Sequence, residues 1–218
     1  MSGHHPSMEL LSGHASGSLS AGAALVVACH VHGCEACRLE AAHWDAVGGE
    51  LLLETPPQPL ADGALESALA RIEMRDSARA PRSGFALPKY LERFDIPRPL
   101  RDQAIGTRLW LAPGIWFAPI GIDSDARART YLVYAGRNTT LPRHTHTGRE
   151  VTAIIFGSFR DNLGTFDAGD FAETDEEVLH APAVTDASEC LCLINSDGPM
   201  RLEGVSAKII QALAGSRY

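Results

Sequence analysis

The run His30-Val31-His32-Gly33-Cys34-Glu35-Ala36-Cys37 sets a histidine and two cysteines at H-x3-C-x2-C spacing, in a chain of 218 residues that has only five cysteines. On a continuous helix, positions four and seven residues after His30 fall about 40° ahead of it and about 20° behind it, so the three side chains share one face. Gly33 is expected to bend that helix without dispersing the cluster. Thiolates at the start of the next helix sit where backbone N–H groups favour negative charge, and Zn²⁺ prefers tetrahedral nitrogen and sulfur ligands. The spacing reads as three ligands of a zinc site, the alternative being two half-buried thiols beside a helix-end histidine. His4 and His5 are the nearest candidates for a fourth ligand. A closed set of four donors is structural, and it suits a segment of under 85 residues that cannot build a large core alone. Cys29 and His32 face elsewhere by the same angular count and are read as bystanders.

Around this cluster the chain reads as helical. Met8, Leu10 and Leu11 begin a short segment, Ser18 and Ser20 offer caps for a second, and Gly33 can end it. A third helix is predicted from Cys34 to the pair Gly48-Gly49, which supplies a stop. The prolines of Thr55-Pro-Pro-Gln-Pro59 make a linker. Asp62 is then expected to cap a fourth helix whose Leu65, Leu69 and Ile72, with Met74 or Arg75, form an apolar stripe facing either its own domain or a partner.

Beyond Gly84 the pattern changes to short apolar runs between Gly, Pro, Asp and Asn, as in Arg108-Leu-Trp-Leu-Ala-Pro-Gly-Ile-Trp-Phe-Ala-Pro119, Thr130-Tyr-Leu-Val-Tyr-Ala-Gly136 and Val151-Thr-Ala-Ile-Ile-Phe156. With Gly164-Thr-Phe166, Leu191-Cys-Leu-Ile-Asn195 and Met200-Arg-Leu-Glu-Gly204, the strand count suits a small barrel or jelly roll. Residues 206–213 are read as a last helix. The fold class expected is α+β in two domains, an all-α metal-binding bundle at 1–84 and a β-barrel at 85–218.

The β-half carries a second cluster. His144-Thr-His146 puts two histidines on one face of a strand, and Glu150 follows four residues later. With His180 these make a three-histidine, one-carboxylate set suited to Zn or another divalent transition metal. Cys190 and Cys192 alternate along a strand, so both thiols face one side, as core filling or as a redox pair. The acidic residues Asp170, Glu173, Asp175, Glu176 and Glu177 are read as a solvated loop.

Charge narrows the function. The formal net charge is −8, and both halves are acidic, with 5 basic against 10 acidic residues up to Gly84 and 14 against 17 after it. Duplex binding depends on cations that displace phosphate counterions, so direct nucleic-acid binding is disfavoured and a basic protein partner fits better. The most apolar run, residues 21–31, is far short of the roughly 20 residues a bilayer span needs. The first residues also lack the basic start and apolar stretch of a signal peptide, which together place the chain in the cytoplasm without a membrane anchor. There, reduced thiols favour metal or redox chemistry over disulfides.

The motif His30-x3-Cys34-x2-Cys37 after an N-terminal histidine, followed by His144-x-His146-x3-Glu150 and His180, resembles the ChrR-type zinc anti-sigma factors across nearly the whole chain. The resemblance implies a helical zinc-binding anti-sigma domain followed by a cupin domain. It implies His5 rather than His4 as the fourth zinc ligand, and His144, His146, Glu150 and His180 as the cupin ligands. It further implies one-to-one capture of an extracytoplasmic-function sigma factor, released in response to singlet oxygen or related oxidants. Two departures from the general cupin pattern weigh against a catalytic pocket. Gly136 stands eight rather than six residues before the first histidine, and Asp175-Glu176-Glu177 replaces the usual Pro-x-Gly. The competing expectation is a metal-dependent cupin dioxygenase or hydrolase with a zinc-stabilised helical extension.

Overall fold

A computed structural model describes residues 3–78, 85–122 and 129–203. Its helices are α1 (Met8–Ser16), α2 (Ala21–Gly33), α3 (Glu35–Leu53), α4 (Ala64–Ala78) and a single turn α5 (Arg98–Arg101). Ser7 and Ser20 cap α1 and α2 by accepting the N–H groups of Leu10 and Ala23. Cys34 alone separates α2 from α3, in an extended conformation at φ −102° and ψ 112°. The bend expected at Gly33 is thus made at the first cysteine of the cluster.

Two helix boundaries differ from expectation. The third helix does not stop at Gly48-Gly49 but runs on to Leu53. Paired glycines weaken a helix by roughly 1 kcal/mol each without forbidding it, and neither takes a positive φ here. The stop comes from Thr55-Pro56, because a residue before proline is pushed out of the helical region. The fourth helix starts at Ala64, with Gly63 rather than Asp62 before it. Its Leu65, Leu69 and Ile72 are all more than half exposed. The helix expected at residues 206–213 lies outside the described residues.

Among the described residues the β-half has ten strands: β1 (Leu109–Ala112), β2 (Ile115–Pro119), β3 (Arg129–Ala135), β4 (His144–His146), β5 (Glu150–Phe156), β6 (Ser158–Asp161), β7 (Gly164–Asp167), β8 (Phe171–Thr174), β9 (Cys190–Ser196) and β10 (Met200–Leu202). All pairings are antiparallel. Six strands form one sheet in the order β1-β2-β3-β9-β5-β8, faced by the ribbons β10-β4 and β6-β7. Hydrogen bonding does not close these into a continuous barrel. The arrangement is that of a cupin jelly roll, with the bridges His144–His180 and Arg160–Ala183 joining its layers. Gly157 turns β5 into β6 at φ +71°, where a Cβ would run into the Glu189 carbonyl, so only glycine fits.

The central strands of the large sheet are buried on both faces, while β1 at its edge is exposed. Along β9, Leu191 and Leu193 join one core while Cys190 and Cys192 join another, as period-two alternation requires. The first core extends out of the sheet to Leu10, Leu11, Val26 and Val27 of the helices and includes Cys34 and Cys37. Between sheet and helices lie Leu91, Phe94, Ile96 and Leu100, all essentially buried, in a connector with no strand or helix period. The sequence offered no signal for this layer. Arg93 fastens it by a 2.8 Å ion pair to Glu189, which also accepts a 2.6 Å hydrogen bond from Tyr134.

We predict that Gly48→Ala raises the midpoint of urea unfolding, corresponding to about 0.5–1 kcal/mol of added stability, since nothing lies within 4 Å of a Cβ there. Gly157→Ala lowers it, or abolishes soluble expression.

Candidate metal centres

The first cluster forms where three parts of the chain meet. His30 comes from the last turn of α2, Cys34 from the joint, Cys37 from the first turn of α3, and His5 from the segment before α1. His5 Nδ1 lies 3.5 Å from Cys34 Sγ and 3.3 Å from Cys37 Sγ, and His30 Nε2 lies 3.3 Å from Cys37 Sγ. One donor atom from each of the four lies within 4.8 Å of the others. His4 is not in the group. Its Nδ1 sits 3.2 Å from Asp170 Oδ2 of the β-half. Cys29 and His32 also stay outside it.

Burial dominates the electrostatics of Cys37 and His30 in this cluster. Burial pushes the Cys37 thiol up to about 12, helped by Cys34 and Glu40. Burial and then the neighbouring His5 push His30 down to about 4, against weaker opposition from the Gly169 carbonyl and Asp170. At neutral pH the metal-free site therefore holds a protonated Cys37 thiol and a neutral His30.

The second cluster lies inside the jelly roll. His144, His146 and His180 are all buried and offer donor atoms within 4.8 Å of one another. Each ring is oriented through Nδ1. His144 Nδ1 donates to the Pro142 carbonyl at 2.7 Å, and His180 Nδ1 to Asp161 Oδ2 at 3.0 Å. Ser196 gives its hydroxyl proton to the Gly198 carbonyl at 2.7 Å, so its Oγ is left to accept from His146 Nδ1 at 3.4 Å. All three rings are thereby assigned the Nδ1–H tautomer, with the Nε2 lone pair available. Nε2 of His146 and of His180 is buried with no hydrogen-bond partner. Glu150 Oε2 comes within 3.1 Å of His146 Nε2, but not in the direction of a hydrogen bond. Two donors that converge without bonding to each other fit a shared cation, and an orphaned buried nitrogen is otherwise costly.

Burial sets the titration of this cluster too. It lowers His146 to about 4, with the charges of His144 and His180 adding to the effect, and it raises Glu150 to about 8. For Asp161, burial alone would raise the pKa. Hydrogen bonds from His180 and the Leu163 N–H outweigh it, and the net shift is downward. Asp161 and Ser196 had no signature in the sequence, because a residue that orients a ligand obeys no ligand spacing.

His144, Glu150 and His180 open onto a cavity of about 70 Å³. Cys190 and Cys192 line it as well, with their Sγ atoms 3.5 Å apart. That volume admits two or so water molecules at roughly 30 Å³ each, far below the roughly 300–1,000 Å³ of small-molecule sites. Of the acidic residues read as a solvated loop, Asp170 is instead 4% exposed. Its carboxylate accepts N–H groups from Gly3, His4 and Asp167.

Residues 107–200 match the family pattern of the ChrR cupin-like domain. The anti-sigma-E factor ChrR of Cereibacter sphaeroides is 36% identical over 214 residues, which cover 95% of this chain and 96% of that one. The chain belongs to the ChrR family of anti-sigma factors. Its fold agrees with a solved member: a chain in the crystal structure of Rhodobacter sphaeroides SigE in complex with the anti-sigma ChrR matches at a TM-score of 0.72 and 33% identity, covering 89% of this chain and 98% of that one. Its role is regulatory rather than enzymatic, and each of the two clusters can hold a metal ion.

Metal uptake by the first cluster is predicted to release protons. A thiol raised to about 12 must lose its proton to ligate, so apparent Zn²⁺ affinity rises with pH, about tenfold per unit for each proton released. Chelator competition between pH 6 and pH 8 measures this, and a flat profile would show that no thiol is a ligand.

Proposed function

We propose that this chain captures an extracytoplasmic-function sigma factor one to one through residues 1–84, and releases it when singlet oxygen or a related oxidant acts on the cupin-like part at 85–218. In this reading His5, His30, Cys34 and Cys37 hold zinc, and His144, His146, Glu150 and His180 hold zinc or another divalent transition metal. A tetrahedron with Zn–S of about 2.3 Å and Zn–N of about 2.0 Å has N···S edges of roughly 3.5 Å. The His5 and His30 contacts to the two sulfurs, at 3.3–3.5 Å, agree with that. Bound zinc would cross-link α2, α3 and the N-terminal segment, contributing folding free energy and leaving no open position for catalysis.

One observation carries the capture step. From the end of α3 through α4 the chain presents Leu51, Leu52, Leu53, Leu60, Leu65, Leu69 and Ile72 to solvent, each more than half exposed. So much exposed apolar surface on one segment marks a binding site, and an amphipathic helix is suited to lie along an apolar groove. The acidic surround complements a DNA-reading, basic partner and would speed their encounter. Among the described residues no single helix is long and apolar enough to cross a membrane. A cytoplasmic site of action, away from DNA itself, accords with the reading. Turnover of a small organic substrate is disfavoured by the 70 Å³ cavity, which has room for a diatomic oxidant or a peroxide.

Leu69→Asp combined with Ile72→Asp is expected to weaken sigma-factor capture by the full chain at least ~100-fold, equivalent to about 2.7 kcal/mol, with metal content unchanged. His144→Ala is expected to leave capture intact and blunt release by photogenerated singlet oxygen. Titration calorimetry and a transcription-release assay read the two. Wild-type capture by the double variant, or loss of both properties in His144→Ala, sinks the division of roles.

A further inference from the structure

The segment carrying His5 is pinned to the β-half on both sides of that ligand. On one side, Asp170 Oδ1 accepts the backbone N–H of Gly3 at 2.7 Å and of His4 at 3.3 Å. Its Oδ2 receives His4 Nδ1 at 3.2 Å. The next residue, Phe171, donates its own N–H to the His4 carbonyl at 3.1 Å. The His4 ring also rests on Phe166 of β7, with centroids 4.6 Å apart. On the other side, Glu9 in the first turn of α1 pairs with Arg149 Nη2 at 2.7 Å, and Arg149 immediately precedes Glu150. His5 therefore hangs on a seven-residue strap, residues 3–9, whose ends are held by β-half residues.

We propose that Asp170 is a positioning residue for the His5 ligand, so that the helical metal site is completed by the cupin-like half through this strap. The inference rests on His5, His30, Cys34 and Cys37 holding zinc. Without these contacts, residues 3–6 would have to be ordered when the metal binds, at a cost in backbone entropy. The buried Asp170 carboxylate meets that cost in advance and stands in the relation of an outer-shell group to the cluster. The same strand start touches the cluster a second time, since the Phe171 ring meets the His30 ring edge-on at 5.6 Å. Strand β8 then runs three residues on to Thr174, which pairs with Glu150 and lines the inner cavity. That distance is roughly 10 Å. A shift of β8 at the inner cluster thus reaches both His5 and His30 of the outer one through covalent and packed contacts.

The test measures zinc loss to a chromophoric chelator in the full chain, in a His144→Ala background that confines zinc to the helical site. Asp170→Ala is expected to speed that loss roughly 10- to 100-fold, approaching His5→Ala, with amide-exchange protection of β5 and β9 kept at the wild-type level. His4→Ala removes the ring's contacts to Asp170 and Phe166 while leaving the Asp170–Asp167 turn intact, and is expected to give a smaller acceleration of the same kind. If His5→Ala itself loses zinc no faster, the zinc reading and the strap both fall. If His5→Ala is fast and Asp170→Ala is not, the strap alone falls. Should Asp170→Ala also lose β5 and β9 protection, His4→Ala decides, and a wild-type rate there overturns the proposal.

Discussion

The outer face of the six-stranded sheet, with Leu191 and Leu193 on β9 and Val151 and Ala153 on β5, is as apolar as its inner face, and water has to be kept off both. A jelly roll that served only as a barrel would leave that outer face polar. Here the cover consists of α2 and the connector with Leu91, Phe94, Ile96 and Leu100. Burying each such side chain is worth about 1.5–3 kcal/mol. This contact sets where α2 ends, and with it where His30 and the first cysteine stand.

That placement sets the helical cluster against the sheet that carries the inner one. The helical cluster does not project from an independent bundle. Cys34 and Cys37 belong to the same core as the sheet, and the His30 ring lies against Phe171. In contrast, the leucines at the far end of α3 and in α4 as far as Ile72 stay outside this core and are exposed. Packing thus divides the described residues into a part whose core includes the helical cluster and an apolar segment that the core does not cover. If one cluster is to influence capture, the intervening structure has to transmit displacement.

Much of this was legible residue by residue. The H-x3-C-x2-C spacing brought His30, Cys34 and Cys37 together because a local turn geometry controls all three. His144, His146 and Glu150 met for the same reason on β4 and the start of β5. Cys190 and Cys192 shared a face because strands alternate. The misreadings have an equally local cause. Gly48-Gly49 reads as a stop when propensity is considered alone, and a run of acidic residues reads as solvated when nothing indicates which member will find N–H donors. Asp161 and Ser196 escaped notice, and Asp170 was read as solvated, because each acts on a residue distant in sequence.

The sequence by itself determined the class of each half, the donor chemistry of both clusters and the acidic balance, since these depend on periodicity, spacing and composition over a few turns or strands. Only the tertiary structure decided that His5 and not His4 joins the thiols, that His4 is instead held by Asp170, and that the inner cluster opens onto a cavity of about 70 Å³. Those outcomes depend on how the sheet, the connector and the N-terminal strap exclude water together. Burial of that kind is a property of surfaces that meet across more than a hundred residues of chain, and no local pattern encodes it.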